Sequence, residues 1–195
     1  MTRPLIVAGI DPGRSGAIAI IRHDQGRSEV LGSWSIDGDS KSWPWWDRAT
    51  KAVGELLALP AEAGGLDLIV SEVPGGGGAS RKDFQPATWL TMGRCLGLVE
   101  ALLRVGAPSA AVLDVTSAEW PKVLRVPVGK QAAWGQIKGW HRVTEARTLA
   151  DVEGSWPRSA DGLNQADVDR QIARAEAVLV AIAGAIIHTN PTAPR

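Results

Sequence analysis

The sequence predicts an α/β domain in which a mixed β-sheet is flanked by α-helices. Three observations carry that expectation. Three short strand-like runs joined by turn residues open the chain. Two further apolar runs of strand length then alternate with helical stretches. A long Ala-rich apolar stretch closes it.

Leu5–Ile10, Ala17–Arg22 and Val30–Ile36 read as an antiparallel meander. Ser42–Leu59 follows with Trp, Ala, Val and Leu at helical spacing, and Pro60 is expected to close it. Leu66-Asp-Leu-Ile-Val-Ser-Glu72 is another apolar run, and it ends in an acid. Pro74–Phe84 is too Gly-rich for regular structure. Pro86–Arg104 predicts an amphipathic helix with Pro at its start and Gly106 past its end. Ala110–Val115 predicts a strand. Ser117–Leu124 and Lys130–Leu149 predict helices, the second broken near Gly135 and Gly139. Glu153–Gln165 is long enough for a mobile loop. Asp167–Ile187 predicts a long helix, and Thr189–Arg195 a frayed tail.

The 195 residues suit one domain with a sizeable core. Lys plus Arg equals Asp plus Glu at 21 each, so no global basic excess points to nucleic acid. That weighs only modestly, because local clustering governs such binding. A single cysteine, Cys95, excludes an intrachain disulfide and a cysteine-based zinc site. No signal-peptide pattern and no apolar run of membrane length are expected, so the cytoplasm is the expected compartment and no membrane partner is expected. Nine Trp beside one Phe and no Tyr is unusual and carries no functional reading.

Three acids stand out. Asp11 follows an apolar run and precedes the turn Pro12-Gly13, so it is presented at a strand end. It reads either as a turn cap or as a buried group needing a hydrogen bond, an ion pair or a metal. Glu72 ends a second strand. Glu176 sits in an Ala/Val/Leu/Ile stretch, where small neighbours also allow a solvated position. Hard cations such as Mg²⁺ need only one or two protein carboxylates and keep waters for chemistry.

Gly9-Ile-Asp-Pro-Gly13 with Ser15-Gly16-Ala17, Ile69-Val-Ser-Glu72 and Ala175–Ala183 around Glu176 together resemble the RuvC family of four-way (Holliday) junction resolvases, in its phage and organelle branch. The resemblance runs from about Leu5 to Gly184. It implies an RNase H-like fold over 1–188 as a single nuclease domain, followed by a tail over 189–195. It also implies a homodimer that nicks two opposed strands of a junction with Mg²⁺, for which Mn²⁺ would substitute. In a phage-encoded chain the compartment would be the host cytoplasm. Sugar-kinase and actin-like ATPases also open with a strand-Asp-x-Gly turn, but they need a second phosphate loop and far more chain.

One departure matters. The family carries a second ligand, Asp or His, three to five positions before the last acid, where this chain has Gln171, Ile172 and Ala173. Asp169 lies seven residues before Glu176, about 10 Å along a straight helix. A helix starting later would let Asp169 or Asp167 fold back; Gln171 with water is a third solution, and a weakened site a fourth. Asp169 is the expected ligand, beside Asp11, Glu72 and Glu176. Two ions about 4 Å apart would then activate water for in-line attack on the phosphate.

Neither Cys95 nor the three histidines form a nucleophile–base arrangement in the sequence. His141 is the one worth watching, with a solvated helix face as its expected role. Arg14, Arg81, Lys82, Phe84, Lys130 and Arg142 are the expected DNA contacts: the cations hold phosphates, and Phe84 stacks or wedges into the junction. Gly93-Arg-Cys-Leu-Gly97 permits close helix approach, on the helix the family uses for dimerisation. A junction-binding protein with an incomplete metal site, or a nuclease for hybrid or other branched substrates, remain the competing functions.

Overall fold

The computed structural model describes residues 3–12, 16–36, 45–63, 65–73, 86–126, 139–152 and 156–193. Five strands form one sheet: β1 (Leu5–Asp11), β2 (Ala17–Asp24), β3 (Arg27–Ser35), β4 (Leu68–Val73) and β5 (Ala111–Thr116). Their order is β3-β2-β1-β4-β5. The first three are antiparallel, whereas β4 lies parallel to β1 and β5 parallel to β4. Gln25 and Gly26, both at positive φ, make the two-residue turn between β2 and β3. That backbone matches the twist of a tight hairpin.

Alternation along the strands builds two cores. Ile6, Ala8, Ile10, Ile18, Ile20 and Ile69 pack on one face beneath α1 (Trp45–Ala63) and α2 (Pro86–Gly106). Val7, Ala17, Ala19, Ile21, Leu68 and Val70 face the other way, against α3 (Trp120–Leu124), α4 (His141–Leu149) and α5 (Gln165–Thr189). The central strands are buried on both faces, so they read as unbroken apolar runs. Three tryptophans, Trp120, Trp140 and Trp156, fill the second core.

Several boundaries differ from expectation. α1 runs through Pro60 to Ala63; proline's φ is helical, so a last turn closes at the cost of one hydrogen bond. α3 starts only at Trp120, because Thr116 and Glu119 first form a reciprocal cap. Thr116 N–H donates to Glu119 Oε2 at 2.8 Å, and Glu119 N–H donates to Thr116 Oγ1 at 3.2 Å. The helix expected from Lys130 is described only from His141, after Gly139 at φ 89°. α5 begins at Gln165, earlier than expected, with the Asn164 side chain accepting from Asp167 N–H. By length and composition α5 could cross a membrane, contrary to the reading of the sequence, but here it is a largely buried core helix.

Candidate active site

Asp11 is 6% exposed at the C-terminal end of β1. Ile10 is level with Ser71 on β4, so Asp11 and Glu72 come one step later on neighbouring parallel strands. Adjacent strands lie about 4.8 Å apart. Both acids fall on the α5 face, in alternation with Val7 and Gly9 on β1 and with Leu68 and Val70 on β4.

Glu176 reaches the same place because α5 lies directly on β1. A side chain at Gly9 would run into the Ala177 carbonyl oxygen and come within 2.8 Å of Ala181 Cβ. Glycine at this position therefore sets the height of α5 over the sheet, and with it the position of Glu176. Gly184 plays the same part over Val70.

The electrostatics report how crowded the acids are. Burial first, and the charge of Asp11 second, push Glu72 up to about 8, while the Trp120 indole and Arg142 act the other way. Glu176 is also raised to about 8, by burial, then by Asp11 and Glu72; Arg142 opposes the shift and Glu145 adds to it. Mutual repulsion of this kind disfavours ionising all three acids together, and a cation relieves it.

Arg142 is the cation already in place. It is 8% exposed, 3.0 Å from Glu145 Oε2 and 3.8 Å from Glu176 Oε1. Its guanidinium lies 4.5 Å from the Trp120 ring centroid. The Trp120 indole nitrogen is buried without a partner at hydrogen-bond geometry among the described residues, yet it favours the charged form of Glu72. α3 and α4 thus form a wall of Trp120, Arg142 and Glu145 beside the carboxylates. The sequence reading missed Glu145 and Trp120. The i, i+3 spacing of Arg142 and Glu145 was the one local signal available.

The other expected residues fall differently. Asp169 is exposed on the second turn of α5 and accepts from Gln165 Nε2 at 2.8 Å. Because α5 already starts at Gln165, neither Asp169 nor Asp167 folds back, and Asp169 is not brought to the three acids. Asp167 pairs instead with Arg170. Arg142, expected as a DNA contact, lies buried among carboxylates. Arg14, Arg81, Lys82, Phe84 and Lys130 lie outside the described residues. His141 is partly exposed, but both of its ring nitrogens are buried and unpartnered among the described residues. Burial, then Arg142, lowers its pKa. Burial pushes the Cys95 thiol up to about 11, which makes it a poor nucleophile.

As the side chains stand, no three carboxylates, imidazoles or thiols among the described residues close into a finished metal cage. The donor chemistry nevertheless fits a hard divalent cation. Asp11, Glu72 and Glu176 act on one another electrostatically at one sheet end, and burial with mutual repulsion disfavours the charged forms of Glu72 and Glu176, a cost that a dication relieves.

No family model and no curated protein matches the sequence. Solved structures do. Thermus thermophilus RuvC superimposes at TM-score 0.61, with 16% identity over 97% of this chain and 99% of that one. The same protein in complex with a Holliday junction substrate gives TM-score 0.61, with 15% identity over 97% and 98%. The fold is RuvC-like. The yeast mitochondrial Holliday junction resolvase Ydc2 superimposes at TM-score 0.50, with 11% identity over 94% of this chain and 78% of that one. The RuvC-like arrangement is a mixed five-stranded sheet with flanking helices, an RNase H-like α/β fold.

Proposed function

We propose that this chain is a divalent-metal-dependent endonuclease that acts on four-way DNA junctions as a homodimer, with paired nicks. The observation that supports this most is the mutual electrostatic contact of Asp11, Glu72 and Glu176 at one sheet end of a RuvC-like fold. Asp11, Glu72 and Glu176 would hold Mg²⁺, or Mn²⁺ in its place. When bound, the metal supplies an activated water and stabilises charge developing on the phosphate. The chain's own part is to hold its carboxylates ready. β1 and β4 fix Asp11 and Glu72, and α5 fixes Glu176. Arg142, clamped by Glu145 and the Trp120 ring, restrains Glu176 and offsets part of the negative charge. Gly93 and Gly97 on α2 are exposed with open space around them, which leaves room for a second copy to approach.

A non-catalytic junction-binding protein is the second reading. One observation favours it: the positions three to five before Glu176 on α5 hold only Gln171, Ile172 and Ala173. Labelled four-way junction, linear duplex and RNA–DNA hybrid, each incubated with protein and Mg²⁺ or Mn²⁺, separate the readings. Symmetric nicks on the junction alone are expected. Tight junction binding without nicking under either metal transfers the assignment to the binding protein, and cleavage of the hybrid alone to another nuclease class.

Asp169→Asn checks the ligand set in the same assay. An exposed group bonded only along its own helix changes free energies by about 0.5 kcal/mol or less, so nicking should stay within about twofold of wild type. A loss of tenfold or more would make Asp169 a ligand after all.

A further inference from the structure

A second cluster of polar groups lies on the same face of the sheet, outside the carboxylate site. A cleft of about 450 Å³ opens between the end of β3 and the first half of α5, lined by Ser33, Ser35, Arg170, Gln171 and Arg174 among others. The strand register locates it. Asp11 is level with Ala17 on β2, and Ala17 with Ser35 on β3. Ser35 is therefore two strand spacings from Asp11, about 10 Å, in the same row. Ser33 pairs with Ala19, a residue of the core beneath α5, so both serines face α5.

Arg174 is the informative residue. Its Nε donates to Ser33 Oγ at 2.9 Å, its Nη1 to Gln171 Oε1 at 3.4 Å, and its guanidinium lies 5.5 Å from the Trp156 ring centroid. All of these partners are neutral; among the described residues it has no carboxylate. Arg170 lines the same cleft one turn earlier, paired with Asp167. A half-buried guanidinium held by neutral groups is costly unless an anion completes it. Burial disfavours its positive charge, in keeping with that cost. The planar fork of an arginine matches phosphate oxygens, and serine hydroxyls add donors.

We propose that this cleft is a second phosphate subsite, in which Arg174 and Arg170 grip a backbone phosphate of the DNA whose neighbouring region lies at Asp11. This rests on the nuclease reading above for its ligand and deepens it: DNA would be held at two points of one sheet face. The contact positions the strand without reading its sequence.

The test is the salt dependence of DNA binding, measured by fluorescence anisotropy in EDTA so that no cleavage intervenes. Each phosphate contact contributes about 0.9 to the slope of log affinity against log salt. Arg174→Gln is expected to bind both junction and linear duplex about tenfold more weakly near 0.1 M salt, with the slope reduced by about 1. Arg170→Gln should act in the same direction. Arg174→Lys keeps the charge and loses the fork, so it should keep most of the slope while losing affinity. These two variants carry the test if Arg174→Gln does not fold.

A purely structural tie between β3 and α5 predicts a lower Tm with an unchanged slope, and that result would overturn the proposal. Inorganic phosphate at constant ionic strength separates the sources of the anion. If it raises the Tm of wild type but not of Arg174→Gln while the DNA slopes coincide, the cleft takes a free anion and the DNA assignment fails. If wild type shows neither junction preference nor nicking, the nuclease reading falls, whereas the slopes on linear duplex still decide the cleft.

Discussion

Asp11→Asn is expected to abolish nicking of a four-way junction while making the protein more stable at pH 8 in EDTA. The two effects have one cause. In the proposed nuclease Asp11 would supply charge to the metal position, and metal stabilisation of a phosphoryl transition state is worth several kcal/mol. Losing it should slow nicking roughly 10³-fold or more. After burial, the same charge is the next cause of the rise of Glu72 and Glu176 to about 8 from an ordinary 4.5.

The sign of the stability effect follows from proton counts. Between pH 4.5 and 8 the unfolded chain has released these protons and the folded one still holds them, so stability falls as pH rises through that window. Removing the Asp11 charge lowers both folded pKa values and flattens the decline. With Glu176 partly screened by solvent, the gain should be about 1–2 kcal/mol at pH 8, a few degrees in Tm, and should vanish near pH 4.5. Added Mg²⁺ should stabilise wild type more than the variant. Thermal denaturation at pH 4.5 and 8, with and without Mg²⁺, reads all of this. A variant that nicks at the wild-type rate would remove Asp11 from the site. One no more stable than wild type at pH 8 would show that its charge does not crowd the two glutamates.

How much of this was legible in the sequence depended on range. Asp11 and Glu72 could be read because each ends an unbroken apolar run, and such runs mark strands buried on both faces. The order of the elements followed from the same periodicities. Glu176 could be singled out because an acid among Ala, Val, Leu and Ile demands a reason. The start of α5 was missed because one side chain, Asn164, caps it, and that contact outweighs a weak local pattern. It decides the fate of Asp169, which becomes an ordinary helical surface residue. Arg142 was misplaced for the opposite reason. Its charge and its i, i+3 neighbour Glu145 are local information, but Trp120 and Glu176 come from two other helices, and only packing brings them together. Arg174 escaped notice for the same reason, since its partner Ser33 is 141 residues away.

Gly9→Ala is the packing counterpart of Asp11→Asn: among the described glycines it would bring an added carbon closest to another atom. The added carbon would strike the Ala177 carbonyl and crowd Ala181, both on the backbone side of α5, where no flexible side chain can turn aside. Overpacking a core costs about 1–3 kcal/mol and more when backbone must move, so a loss of about 3 kcal/mol or more is expected. For a chain of this size that lowers Tm by about 6–12 °C. Gly54→Ala is the control: the position is inside α1 with nothing within 4 Å of an added carbon. It should gain about 0.5–1 kcal/mol, because alanine restricts the unfolded chain and favours helix. The consequence for function separates a mere loss of stability from a displaced site. To admit the methyl, α5 must lift from β1, and Glu176 rides on the adjacent residue. Gly9→Ala should therefore nick more slowly than its folded fraction explains, even well below its Tm, and higher Mg²⁺ should recover part of the rate. Full activity per folded molecule would mean that α5 absorbs the methyl without moving Glu176, and the close seat of α5 on β1 would no longer account for the site.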